Sequence, residues 1–576
     1  MVKPFFPALT THSTAIVSSI RSKRAPLILL IPVTCYFLFR LFETGLTHFI
    51  IPLFPDEADK SYGFYNDFLH LCFNEVLWFS FFMLIGWIML IYVPLERVIS
   101  KIQNHIITRK SIYLAGIYAV SCISALLIAY HSLEVFPNSA DEYVYLYQAE
   151  TLSQGKLTQQ AHPLEFFFHF NHIVQRDGVA VGRFPPGWPL LLSIPYLLGF
   201  PAYWLNPILG TIALLVFYRF TERYYGERAA IWSLLTMAFT SYYVFNGASY
   251  FSHTSCLLFI IAFVYCLRLS REKGSDIYAL ISGVFLGLIV ITRYYTAVLI
   301  FIPVLVSLVY YERWNVIRPL FFTALGILPS FAFLCWYNYE ITGNPLLPVT
   351  VWADPDETIG FVKGHTFLKG AEHFVRRLFL FMYWSSPAIL ILYFIYLGGK
   401  MYNTVQRFVY PEDYFLLMLF IGYFFYHHPG GNQYGPRFLF EAFPFAIVLV
   451  VSRALQAKVK WPLALLAAGM IYGIVKIPYI IQRESQVVHE RMDVYKKVKE
   501  AGISNAVVLL TTHTGVIRPM PIRDLTRNDM NYQQSVIYAQ DQREKNHLLM
   551  EFYPDRSFYK YVRDREKVEG WLMKLK

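Results

Sequence analysis

Two adjacent carboxylates, Asp141 and Glu142, stand in the stretch Pro137-Asn-Ser-Ala-Asp-Glu-Tyr-Val-Tyr-Leu-Tyr-Gln-Ala-Glu150, directly after an apolar run. A carboxylate so placed can take the proton of a hydroxyl as its oxygen attacks an electrophile. Arg176 and Arg183 follow. A guanidinium offers paired hydrogen bonds to phosphate oxygens. Acid and cation together point to proton abstraction beside an anionic lipid headgroup. A plainer reading competes. Carboxylates are favoured in the first turn of a helix, and either one could simply cap a helix that stops at Gly155. Tyr143, Tyr145, Leu146 and Tyr147 mixed with Gln148 and Glu150 fit an amphipathic interfacial helix.

Arg183 lies in Val181-Gly-Arg-Phe-Pro-Pro-Gly-Trp-Pro-Leu190, where the double proline fixes the chain. It suits a donor phosphate, or it snorkels to bulk lipid headgroups without catalysis. Arg293, in Ile291-Thr-Arg-Tyr-Tyr295, sits between two apolar runs with almost no loop. A cation there needs an anionic partner. Gln433-Tyr-Gly-Pro-Arg-Phe-Leu-Phe-Glu441 supplies Tyr434, Arg437 and Glu441, and the last two, at i and i+4, could pair with each other. His253 opens another helix, as a pocket residue or as a cap. Asp141, Glu142 and His162 could assemble a cation site, but their spacing matches no metal motif, and neither does His427-His428. No metal or cofactor is expected, and a divalent cation stays open.

These residues must be positioned by membrane helices. Of the 576 residues 56% are apolar, 18% aromatic and only 15% charged. A soluble protein carries about 25% charged residues. Runs long enough to span, roughly 17–20 residues, lie near 25–43, 76–93, 112–130, 203–219, 229–247, 254–269, 277–292, 295–311, 319–337, 378–397, 414–427, 437–452 and 461–481. That makes about thirteen transmembrane helices. Trp188–Phe200 is too short, carries Pro189 and Pro195, and reads as a helix dipping into the interface. With the N-terminus inside, basic residues such as Arg97, Lys101, Arg109, Lys110, Arg223, Arg228, Arg271 and Lys273 fall in inner loops. The +11 net charge is then topological, and no nucleic-acid partner is implied. The six cysteines form no CxxC, so neither zinc nor a disulfide framework is indicated.

Three outer pieces result: the loops 131–187 and 338–377, and the tail 482–576. The tail is charged and reads as a small α/β domain, with strands at Ala506–Thr511, Ser535–Ala539 and Ser557–Val562 and a helix at Glu544–Phe552. The expected units are therefore 1–111 with two spans, 112–481 as the catalytic module and 482–576 as the tail. Asp141, Arg183, His253, Arg293 and Arg437 all fall on the outer face.

Asp141-Glu142, Phe184-Pro-Pro-Gly-Trp-Pro189, Thr292-Arg293, Thr342-Gly-Asn-Pro-Leu346 and Tyr434-Gly-Pro-Arg-Phe-Leu-Phe-Glu441 together resemble the GT-C glycosyltransferases. The likeness is to the protein O-mannosyltransferases and the lipid A aminoarabinose transferases. It covers roughly 131–481, with a further likeness at Tyr553-Pro-Asp-Arg556. It implies a GT-C-like fold and a transferase using a polyprenyl-phosphate sugar, with Asp141 as base or acceptor-orienting residue and Arg183 on the lipid phosphate. Two features depart from the pattern. The acidic loop follows the third span instead of the first, and Phe184 separates Arg183 from the prolines. The expected home is the plasma (inner) membrane, with the N-terminus cytoplasmic and the tail extracytoplasmic. A transporter or flippase for a lipid-linked saccharide is the alternative, although no repeated halves are visible. A membrane saccharide polymerase and a non-catalytic scaffold are others.

Overall fold

The computed structural model describes residues 78, 81–312, 316–362, 364–402, 410–430, 433–512, 514, 520–563 and 569–575. The expected first span, 25–43, lies outside them. Among the described residues, seven helices are long and apolar enough to cross a membrane, or eight if the bent pair Phe81–Tyr92 and Leu95–Thr108 counts as one. The protein is a polytopic helical membrane protein with a small tail that contains a sheet.

Several expected runs are broken, each for a local reason. The run 229–247 becomes Glu227–Ala238 and Ser241–Ala248, because Thr240 is extended and caps the second helix through its side chain. The run 378–397 breaks at Ser385 between Phe367–Trp384 and Pro387–Tyr402. Pro387 can neither donate to a preceding carbonyl nor leave residue 386 free to be helical. The runs 277–292 and 295–311 join as Asp276–Glu312, with non-helical backbone at Arg293 (φ −151°, ψ 74°). Gly283 lies against Thr323, and Gly287 against Ile327 and Ser330 of the Ile317–Thr342 helix. Those contacts run parallel, so the chain between them must turn back at Arg293. The dipping helix is Gly187–Leu198. Its 12 residues reach about 18 Å, well short of a bilayer core.

The first loop holds the helix Ala140–Ser153 and a small antiparallel sheet in the order β1-β3-β2, with β1 Gln159–Gln160, β2 Ile173–Arg176 and β3 Val179–Gly182. A helix forms there, as the sequence leads one to expect. No residue from Ala140 to Leu152 is exposed, because the sheet, the dipping helix and the tail cover it. The tail sheet has the order β5-β4-β6-β7, from β4 Ala506–Leu510, β5 Val536–Gln540, β6 Ser557–Val562 and β7 Trp571–Lys574. Strand β7 had no clear signal in the sequence. Strand β4 is buried on both faces, and successive side chains alternate between them. Val508 and Leu510 join the main core with Leu525 and Tyr561. Val507 and Leu509 pack on Phe167 and Phe168 of the first loop. The membrane helix Trp461–Arg491 continues past residue 482 before the tail begins.

Candidate active site

Ser139 starts the Ala140 helix. Its hydroxyl oxygen accepts the Glu142 N–H at 3.2 Å, so neither carboxylate is the cap. Asn138 is anchored in turn by Arg491, whose Nη1 donates to Oδ1 at 2.8 Å. This leaves both acids with other partners, and they diverge. Glu142 is buried, with Oε1 accepting the Tyr250 N–H at 3.0 Å. Burial pushes its pKa up to about 7. It fixes the 249–251 loop, and although Arg437 and Asp141 both act on it, burial dominates.

Asp141 is 28% exposed, with Oδ1 3.3 Å from His172 Nε2 and Oδ2 3.4 Å from Arg437 Nη1. Burial acts to raise its pKa, but Arg437 and its basic neighbours His172, His428 and Arg183 outweigh that and hold it below the usual value. Burial also lowers His172 to about 4. His172 is therefore neutral at physiological pH, and the arginines carry the effect. The result is an ionised, partly accessible carboxylate.

Arg437 and Glu441 do not pair with each other. Arg437–Ala442 is a 3-10 helix, whose three residues per turn do not stack i on i+4. Arg437 turns to Asp141 and lies 3.9 Å from the Phe251 ring centre. Glu441 is fully buried and meets His253 Nδ1 at 2.8 Å and Arg293 Nε at 3.0 Å. The Arg293 contact is close enough for ion pairing but not aligned as a hydrogen bond, and Glu441 Oε2 has no hydrogen-bond partner among the described residues. Arg293 Nη2 also donates to the Tyr423 hydroxyl at 3.3 Å. Tyr434 is buried, with its hydroxyl accepting from Asn138 Nδ2 at 3.4 Å.

Arg183 reaches Glu357 Oε2 at 3.3 Å and Asp354 at 3.8 Å. Its Nε is buried without a hydrogen-bond partner among the described residues. Glu357 also accepts from the Tyr426 hydroxyl and lies 3.9 Å from His427 Nε2. Gly187 brings Arg183 toward Arg293, because a Cβ at 187 would fall 2.6 Å from Thr292 Oγ1 and 2.8 Å from the Ile291 carbonyl carbon.

Two candidates join other groups. His162 accepts the Leu164 N–H and contacts the Tyr553 hydroxyl at 2.9 Å, between loop and tail. Arg176 stacks on Trp352 at 4.7 Å. Three contributors escaped the sequence reading. His172 sits at positive φ (69°), and Glu357 with Asp354 belongs to the acidic cluster Asp354-Pro-Asp-Glu357 of the second outer loop. That cluster was the one available signal. Among the described residues, no three His, Cys, Asp or Glu side chains are grouped to hold a metal ion.

Residues 184–336 match the family model described as dolichyl-phosphate-mannose-protein mannosyltransferase. Over that stretch the chain is similar to this family. The matched stretch holds the dipping helix, His253 and Arg293, while Asp141 and Arg437 lie outside it. No curated protein matches it significantly. Among solved structures it is similar to ArnT from Cupriavidus metallidurans bound to undecaprenyl phosphate, at 9% identity and TM-score 0.49, covering 81% of this chain and 98% of that one. It is also similar to AglB, the oligosaccharyltransferase of Archaeoglobus fulgidus, in complex with an inhibitory peptide and a dolichol-phosphate, at 14% identity and TM-score 0.38, covering 68% and 58%. At these scores the likenesses carry no weight for activity.

Proposed function

We propose that the protein moves a sugar from a polyprenyl-phosphate donor to an acceptor hydroxyl on the extracytoplasmic side of the membrane. Asp141 accepts the hydroxyl proton as the oxygen attacks the anomeric carbon. The C1–O bond to phosphate breaks, and polyprenyl phosphate leaves with that bonding pair. Arg183, helped by Arg293 and Arg437, offsets the negative charge growing on the leaving group. Direct displacement inverts the anomeric centre. The donor lies at the membrane boundary because its tail stays in lipid, and holding both reactants there supplies much of the rate.

One observation carries this reading: a partly exposed carboxylate held ionised by guanidinium groups, next to a short apolar helix at the head of the family-matched stretch. Purified protein incubated with a panel of radiolabelled polyprenyl-phosphate sugars tests it. Free polyprenyl phosphate should appear with at least one donor, and none from any donor would contradict transfer.

A further inference from the structure

Besides Arg491 at Asn138, the tail reaches the surroundings of Asp141 through the segment 520–530. The Tyr143 hydroxyl donates to the Asn528 carbonyl at 2.9 Å and accepts the Asn528 N–H at 3.2 Å. The Arg527 guanidinium lies 4.1 Å from the Phe136 ring centre and 5.3 Å from that of Tyr143. Tyr495 donates to the Leu525 carbonyl at 2.8 Å. The segment is thus pinned to residues on both sides of Asp141.

Two of its charged groups are buried yet incompletely used. Asp524 is 6% exposed, and its Oδ1 has no hydrogen-bond partner among the described residues. Arg527 is 9% exposed, and its Nη1 is likewise without one. Buried polar atoms left so are uncommon, and each calls for an explanation. Burial raises Asp524 to about 6, against the pull of Arg527 and Arg523, and the charge of Asp141 adds to the rise. Arg523 acts in turn on His172, which touches Asp141. The tail's charges and those of Asp141 therefore share one electrostatic space, and the transfer chemistry above uses none of the tail's groups.

We propose that segment 520–530 forms an acceptor subsite beside Asp141, where Asp524 accepts and Arg527 donates hydrogen bonds to the hydroxyls of a saccharide acceptor. The subsite rests on the transfer reading. Sugar hydroxyls both donate and accept, so they match a carboxylate beside a guanidinium. The rings of Phe136 and Tyr143 add apolar faces. An anionic headgroup would meet the carboxylates of Asp524 and Asp141.

The test uses the full-length protein and whichever panel donor releases polyprenyl phosphate. Acceptor probes are the methyl glycosides of glucose, galactose, mannose and N-acetylglucosamine, and a Ser/Thr-rich peptide. At least one glycoside should accelerate release with saturation, and the peptide should not. Asp524→Asn should raise the KM for that glycoside about tenfold or more, the loss of one hydrogen bond to a charged group, while the donor KM stays within about twofold. Asp524→Glu should recover part of the loss. Arg523→Ala, at an exposed position, should raise the glycoside KM by a smaller factor. The subsite is overturned by an unchanged glycoside KM in both variants, by donor and acceptor KM rising together, or by stimulation from the peptide alone or from no probe. Absence of release from every donor overturns the transfer reading instead.

Discussion

At the scale of single residues, the two neighbouring acids differ because Asp141 touches Arg437 directly, whereas Glu142 is fully buried against a backbone amide. Asp141 is held ionised, so Asp141→Asn should cut transfer about 10²–10⁴-fold, the range for loss of a general base, while expression stays unchanged. Retained turnover would remove it as the base. Arg183→Ala should raise the donor KM more than the acceptor KM, and the reverse order would contradict a phosphate role. Glu142 carries a stability signature. Its folded pKa of about 7 exceeds the ordinary 4.5, so the folded chain holds a proton that the unfolded chain releases. That contribution is present below about pH 4.5 and is lost as pH rises through about 7, by up to about 3 kcal/mol. Melting curves between pH 5 and 8 should show the decline in the unsubstituted protein and a flatter profile in Glu142→Gln. Parallel profiles would refute it.

At the scale of elements, the site depends on where helices stop. Gly187 lets the dipping helix touch Ile291 and Thr292 beside the turn at Arg293. Gly187→Ala forces a methyl into backbone as well as side chain, and about 1–3 kcal/mol should be lost to overpacking. A melting temperature and donor KM equal to those of the unsubstituted protein would show that the contact is slack. These stops also explain what the sequence could and could not reveal. Long apolar runs announce helices because each adds up over many residues. The breaks at Thr240 and Ser385 were hidden, since hydropathy counts side chains and ignores caps and the residue before proline. The i, i+4 spacing of Arg437 and Glu441 left a mutual pair open, and a 3-10 turn sends them to different partners.

At the scale of the whole molecule, the candidate site draws on pieces far apart in sequence. Asp141 was legible because an acidic pair in a lipid-soluble chain is conspicuous. Glu357 and His172 were not, because nothing local says that Arg183 will meet the one or Asp141 the other. The same holds for Phe167 and Phe168, which pack beneath a strand more than three hundred residues later. Removing residues 492–576 should therefore uncover that cluster and unpin Tyr143. The truncated chain should still insert into membranes, but it should be cut by added protease between 131 and 187 and should show no donor turnover. Full resistance with normal turnover would show that the first loop holds its shape alone.

The bond between Tyr143 and Asn528 spans 385 residues of chain. A ribosome adding about 5–20 residues per second needs on the order of tens of seconds to travel that distance. For that interval a newborn protein already sits in the bilayer with its first loop not yet pinned by the tail. The contact between Tyr143 and the tail forms only after residue 528 has emerged and folded back.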